Sequence, residues 1–207
     1  QPGAEVKRAQ KYKMSFSSGG LFLTESVEVA RLHHHGEAWD TTLSRALADG
    51  ATHLPKAASN RRTLREIVNR LQTLSADERA YLVEEADRAD AQALLWLAAC
   101  RAYLLVREFA IEVVQDRYLS YQMHLQPETF DIFFEAKAEW HDELSGLSAS
   151  TRGKLRQVLF RMMREAGILS RDNQILPAFL SSNVRILIEQ SAPQDLDVFP
   201  GLMRGAA

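Results

Sequence analysis

The chain has 207 residues, of which 46% are hydrophobic, so it can bury a substantial core and is not a disordered chain. Its 25 basic and 27 acidic residues give a formal net charge of −2, which excludes a global basic field, so any attraction to nucleic acid has to be local. The single cysteine, Cys100, excludes an internal disulfide framework and favours a reducing compartment.

The first fifty residues predict a flexible start followed by two helices. Residues 1–13 predict a flexible N-terminal segment, since the chain opens on polar residues without an apolar period. The SSGG sequence at residues 17–20 leads into a short helix. A second helix is expected from Ala38 to Gly50, because glycine suits a left-handed C-terminal cap.

Two further helices joined by a short turn are expected next. From residue 59 onward, apolar side chains recur at the spacing of an amphipathic helix, at Leu64, Ile67, Val68 and Leu71. Ser75 and Glu78 fit a capping box, in which each side chain accepts a hydrogen bond from the other residue's backbone amide. This pattern predicts a helix-turn-helix element.

Residues 91–106 are the most hydrophobic stretch, and we interpret them as a core helix rather than a membrane span. Arg101 lies inside the stretch and Arg107 closes it, whereas a membrane helix needs about 20 apolar residues. We expect the core helix to continue to about Tyr121 and the next helix to begin at Pro127.

The C-terminal part predicts a helix over residues 150–165, followed by a small β-hairpin around the polar turn at residues 170–173. The buried stripe of that helix is expected at Leu155, Val158, Leu159 and Met162. The predicted fold class is therefore all-α, a multi-helix bundle with helix-turn-helix elements and a small C-terminal winged-helix-like β-hairpin. Residues 14–125 would form an N-terminal and central helical domain, and residues 126–207 a C-terminal winged-helix-like domain.

Basic residues are concentrated in two segments. Residues 56–70 hold five basic side chains against one acid, and residues 148–171 hold six against one. Each segment carries a helix preceded by Ser, Asn or Thr, and the free amides of a helix N-terminus together with Lys and Arg suit phosphate. Arginines on the polar side of a helix also commonly form a solvated face. The DNA-binding candidates are Lys56, Arg61, Arg62, Arg65, Ser150, Thr151, Arg152, Lys154, Arg156 and Arg171.

Signals for catalysis or metal binding are weak. The consecutive residues His33, His34 and His35 point about 100° apart on a helix and cannot face one metal together. The carboxylates of Glu135 and Glu139 lie on one helical face, and a solvated acidic surface is enough to explain their presence there. The sequence has no phosphate-binding glycine loop, nucleophile elbow or paired-cysteine motif. We therefore expect no enzymatic activity, no metal, no cofactor and no small-molecule substrate.

Three segments resemble the BrxA family of bacterial BREX phage-defence systems. They are KYKMSFSSGGLFLTES at residues 11–26, LPK at residues 54–56 followed by paired arginines, and TRGKLR through AGIL at residues 151–169. The resemblance extends over about residues 11–190. It implies an all-helical protein with winged-helix-like character and a bundle comparable to the antitermination factor NusB. It also implies binding of double-stranded DNA without catalysis, alongside the methyltransferase, ATPase and phosphatase-like subunits of such a system.

The functional prediction is a non-enzymatic DNA-binding accessory subunit of a BREX system that contacts mainly phosphates, with weak sequence preference. We expect it in the cytoplasm and not at a membrane, because the sequence opens without a secretory leader. A protein–protein scaffold subunit and a NusB-like RNA-binding protein are the alternatives. Salt-sensitive binding to DNA, preference for RNA, or no nucleic-acid binding would distinguish the three.

Overall fold

The computed structural model describes residues 11–49 and 57–204. These ranges contain a π-helical stretch (Phe109–Gln115), a 3-10 helix (Pro193–Val198) and a series of α-helices. The α-helices in these ranges are α1 (Leu23–Leu32), α2 (Trp39–Asp49), α3 (Ala57–Leu71), α4 (Ala76–Glu84), α5 (Arg88–Ala102), α6 (Leu104–Glu108), α7 (Asp116–Leu119), α8 (Pro127–Ala138), α9 (Asp142–Ser145), α10 (Ala149–Glu165) and α11 (Ser182–Ser191). The predicted all-α class is confirmed.

Helix α5 lies at the centre of the fold and packs against α1, α3, α4 and α10. Its residues from Leu94 to Cys100 are almost completely buried, and the Trp96 indole N–H donates to the carbonyl of Val198 at 2.9 Å. Within residues 11–49 and 57–204, no helix is long and apolar enough to cross a bilayer. The interpretation of this stretch as part of the core is confirmed, although its helix ends at Ala102.

The prediction of one long helix to Tyr121 is wrong, because the α-helix is interrupted at Tyr103. The backbone of Tyr103 is extended, with φ −123° and ψ 105°. Its side chain is fully buried, with the ring 4.9 Å from that of Phe16. The Tyr103 hydroxyl donates to Glu66 and accepts from Arg70 Nε. Contacts with distant residues therefore hold Tyr103 in a conformation that an uninterrupted helix does not allow.

Several helix starts agree with the sequence prediction. Ser75 and Glu78 form the capping box that begins α4, and Pro127 is the first residue of α8. Helix α10 begins after Ser148, whose Oγ accepts from the Thr151 N–H at 3.1 Å. Its predicted apolar stripe is buried, as is Phe160 on a second side. Because α10 is buried on more than one side, only a narrow stripe of it remains exposed.

The predicted β-hairpin after α10 is wrong. The described residues contain no strand, and this segment forms only isolated antiparallel bridges, one of them between Leu169 and Ile175. A tight turn with Asn173 at φ 63° reverses the chain. Pro177 follows two residues after the bridge, and proline has no N–H to donate to a ladder. Among the described residues, no wing of paired strands therefore follows α10.

The predicted division into residues 14–125 and 126–207 stays a prediction. One hydrophobic cluster contains residues of both segments, from Phe16 in the first to Phe199 in the second. Residues 1–10 of the predicted flexible start lie outside the described ranges. Tyr12, near its end, is buried, and its hydroxyl donates to Glu108 at 2.6 Å.

Candidate nucleic-acid interface

A surface groove of about 490 Å³ lies between α3 and α10. Ser17, Ser18 and Gly19 line it from the SSGG loop, which we define as residues 17–20. Arg62 lines it from α3, and the residues that line it from α10 are Lys154, Gln157, Val158 and Arg161. Among the described residues, the lining has three basic side chains and no acid. The two basic segments, which are far apart in sequence, therefore meet across one groove, which we call the basic groove.

Two glycines of the SSGG loop have neighbours close to where a side chain would begin. Gly19 has φ +76°, and a Cβ there would lie 2.1 Å from the Phe22 ring. A Cβ on Gly20 would lie 2.5 Å from Oε1 of Glu165. Only glycine accepts both the left-handed backbone of the first position and the close approach of the second without strain.

Charged side chains hold the SSGG loop against both basic helices. Arg70 of α3 donates from Nη1 to the carbonyl of Gly20 at 2.6 Å. Glu165 of α10 accepts from the Leu21 N–H at 2.8 Å and from Arg161 Nε at 2.7 Å. Arg62 donates to Ser17 Oγ at 2.8 Å. The loop is therefore fixed relative to α3 and α10, and so is the shape of the basic groove.

The exposed stripe of α10 consists of side chains spaced four and three residues apart, which places them on one helical face. Its members are Ser150, Lys154, Gln157, Arg161 and Arg164, and all are exposed. Ser150 and Lys154 were candidates from the sequence. Arg161 and Arg164 were counted in the basic segment without being nominated, although their spacing from Lys154 could have identified them.

Arg152 and Arg156 lie on the side of α10 that faces α8 and do not line the basic groove. Arg152 forms an ion pair with Glu135 at 3.1 Å, and Arg156 forms one with Asp131 at 2.6 Å. Acids of α8 therefore partly neutralise both arginines. Thr151 is half-buried, and its N–H is occupied by the helix cap.

None of the remaining described candidates lines the groove. Arg61 and Arg65 are exposed on α3, outside the groove lining. Arg171 is exposed in the turn after α10, and Lys56 lies outside the described residues. Arg70 belongs to the first basic segment but is only 2% exposed, so its charge holds the SSGG loop and does not reach the surface.

Basic character continues past the groove into a neighbouring cleft of about 340 Å³. Arg88, Arg161 and Arg164 line this cleft together with Gln92. Glu25 and Glu165 also line it, so its charge is mixed, unlike that of the basic groove.

Comparison with known proteins identifies the family. The sequence model of BrxA matches residues 10–192. The chain belongs to the BrxA family. A curated relative named BREX protein BrxA, from Bacillus cereus (strain H3081.97), is 24% identical over 165 residues, which cover 78% of this chain and 80% of the relative. The resemblance predicted from the sequence is confirmed. The SSGG loop, α3 and α10 all lie within the region that the BrxA model matches.

A solved structure shares the fold. The crystal structure of an uncharacterized protein from Magnetospirillum magneticum matches with a TM-score of 0.75 at 22% identity. The match covers 90% of this chain and 96% of that one. At this identity the likeness concerns the fold alone.

Among the described residues, no group of three or more His, Cys, Asp or Glu side chains that could hold a metal ion comes together. The His33 ring stacks on Trp39, with centroids 3.7 Å apart and planes 5° apart. His33 Nδ1 lies 2.7 Å from Thr42 Oγ1. Burial lowers the pKa of His33, and the nearby positive charge of Arg79 lowers it further.

We expect the free energy of unfolding to fall as the pH drops below about 6.5, the ordinary pKa of histidine. The pKa of His33 is lowered in the folded protein, so the unfolded chain binds the proton first and protonation favours unfolding. The His33→Gln variant should lose less stability between about pH 6.5 and pH 5. Urea unfolding across this window measures the effect, and parallel pH profiles for the two proteins would contradict it.

Proposed function

We propose that the chain is a non-enzymatic, double-stranded-DNA-binding accessory component of a bacterial BREX phage-defence system, and that duplex phosphates bind along the basic groove. The observation that carries the proposal is the convergence of Arg62, Lys154 and Arg161 around a groove whose described lining contains no acid. Membership of the BrxA family and the name of the Bacillus cereus relative support the BREX assignment.

Electrostatics favours phosphate as the ligand of the groove. The whole chain has a formal net charge of −2, so a binding site for a polyanion requires local concentration of positive charge. The exposed stripe of α10 from Ser150 to Arg164 is about 20 Å long, compared with about 34 Å for one turn of duplex. The stripe is therefore long enough to contact several successive phosphates.

Weak sequence preference follows from the same side chains. Long Lys and Arg side chains dominate the groove, and phosphate contacts position a protein without reading bases. Arg61 and Arg65 lie exposed on α3 and would add phosphate contacts at its edge. The α8 acids paired with Arg152 and Arg156 make that side of α10 a poorer surface for DNA.

Fluorescence anisotropy with a random-sequence duplex, repeated across salt concentrations, tests the proposal. The wild-type protein should bind with strong salt dependence. The groove variant Arg62→Glu, Lys154→Glu, Arg161→Glu should bind weakly, with the log-log salt slope reduced by about 0.9 for each phosphate that the variant no longer neutralises. The matched control is Arg31→Glu, Arg185→Glu, Arg204→Glu, which makes the same change in net charge outside the groove lining.

The control variant should keep nearly the wild-type slope. An equal weakening of binding in both variants would mean that only net charge matters, and absence of binding at low salt would reject DNA as a ligand and favour a scaffold. The same titration with single-stranded and structured RNA separates the remaining alternative, because tighter binding to RNA than to the duplex would contradict the proposal.

A further inference from the structure

The outward face of α8 combines exposed apolar side chains with acids. Ile132 is 71% exposed, and Trp140, two residues beyond the end of the helix, is 83% exposed. Glu128 and Glu139 share this face with Ile132, because they lie close to multiples of one helical turn from it, and both are exposed. We call these four residues the acidic α8 face. Exposed large apolar side chains on one segment, here an isoleucine and a tryptophan, together with exposed acids are typical of a protein interaction surface.

The chain itself carries a surface that complements this face. The basic groove is concave, positively charged and has Val158 in its lining. Its volume of about 490 Å³ has room for an indole ring. Guanidinium and ammonium groups such as those of Arg161 and Lys154 bind favourably over an indole face, and the carboxylates around Trp140 would pair with the same cations.

The two surfaces do not meet within one chain. Helix α8 packs against one side of α10 through two ion pairs, Glu135 with Arg152 and Asp131 with Arg156. The groove lies on the exposed stripe of α10, which contains Lys154 and Arg161. A contact between the face and the groove therefore joins different molecules.

We propose that the acidic α8 face docks into the basic groove of a second copy of this chain. The contact is head-to-tail, because each copy offers one surface and accepts the other. Opposite charges and a small apolar centre predict weak association that salt weakens further. The association does not depend on DNA binding, although a duplex in the groove would compete with it.

Sedimentation velocity of the full chain tests this association. At an ionic strength of about 0.05 M the average sedimentation coefficient should rise with protein concentration, and at about 0.5 M it should return to the monomer value. The face variant Ile132→Ser, Trp140→Ser and the groove variant Arg62→Glu, Lys154→Glu, Arg161→Glu should each stay monomeric. The control Phe179→Ser, Met203→Ser removes two exposed apolar side chains elsewhere and should associate like the wild type.

Mixing the face variant with the groove variant distinguishes head-to-tail docking from other contacts. Each variant keeps the half that the other lacks, so an equal mixture should form dimers and no larger species. Tryptophan emission gives a second measurement, because Trp140 is exposed while Trp96 is buried and Trp39 is half-buried against His33, so association of the wild type should shift the emission to shorter wavelength.

Three results would overturn the proposal. The first is a wild-type protein that stays monomeric at low salt at every concentration. The second is a groove variant that associates like the wild type, since this would indicate a symmetric contact between two α8 helices. The third is a mixture of the two variants that stays monomeric.

Discussion

Replacing Arg101 with methionine should lower the free energy of unfolding by about 3–5 kcal/mol, the cost of removing one partner from a buried ion pair. Arg101 donates to Glu78 at 2.9 Å and to Asp195 at 2.7 Å. The side chain of Glu78 is fully buried and that of Asp195 is 5% exposed. Methionine would fill much of the same volume and leave both carboxylates without this cation.

Urea unfolding measures the destabilisation. The control Arg185→Met removes an ion pair with Glu189 in which both side chains are about two-fifths exposed, and it should cost less than about 1 kcal/mol. Adding Glu78→Gln to Arg101→Met should recover part of the stability, because the stranded charge of Glu78 disappears, whereas Asp195 keeps its ion pair with Arg107 at 2.6 Å. A destabilisation in the single variant no larger than that of the control would contradict the buried-pair explanation.

Replacing Gly19 with alanine should lower the free energy of unfolding by about 2–5 kcal/mol. Holding alanine in the left-handed conformation costs about 1–2 kcal/mol, and displacing a packed neighbour costs about 1–3 kcal/mol more. The neighbour is the Phe22 ring, which also lies under the Arg70 guanidinium at 5.3 Å. Because the SSGG loop lines the basic groove, the variant should also bind the duplex more weakly than the wild type.

Two other glycines separate the contributions. Gly36 has φ +78° with nothing within 4 Å of an added Cβ, so Gly36→Ala should show the backbone cost alone. Gly153 lies inside α10 with equally open space, so Gly153→Ala should raise the free energy of unfolding by about 0.5–1 kcal/mol. Equal destabilisation at Gly19 and Gly36 would mean that the Phe22 ring moves without cost.

Local features of the fold could be predicted from the sequence because their causes are local. The capping box of Ser75 and Glu78 depends only on residues within one helical turn. The break at Tyr103 could not be predicted in this way, because it depends on Phe16 and Arg70 from distant parts of the chain. The hairpin was wrong for a related reason: the pattern of short apolar pieces does not reveal whether they pair over enough residues to form strands.

The candidate site was predictable in charge but not in shape. The concentration of basic residues in two segments was visible in the sequence, and the structure brings Arg62 and Lys154 of those segments to one groove. Which arginines remain free to bind a ligand depends on acids of other helices, as Arg156 shows by its ion pair with Asp131 of α8. The part played by the SSGG loop could not be inferred either, because it depends on Glu165 at the far end of α10.

The ion pair between Arg161 and Glu165 has a consequence for selectivity. A ligand that draws the Arg161 guanidinium into the groove has to replace the carboxylate that already holds it at 2.7 Å. A single carboxylate on a passing peptide offers no more charge than Glu165, so the exchange gains little. A ligand with several closely spaced anionic groups engages Arg62 and Lys154 at the same time and compensates for the exchange. We therefore expect the built-in carboxylate to make the groove discriminate by the charge density of its ligand and not only by its sign.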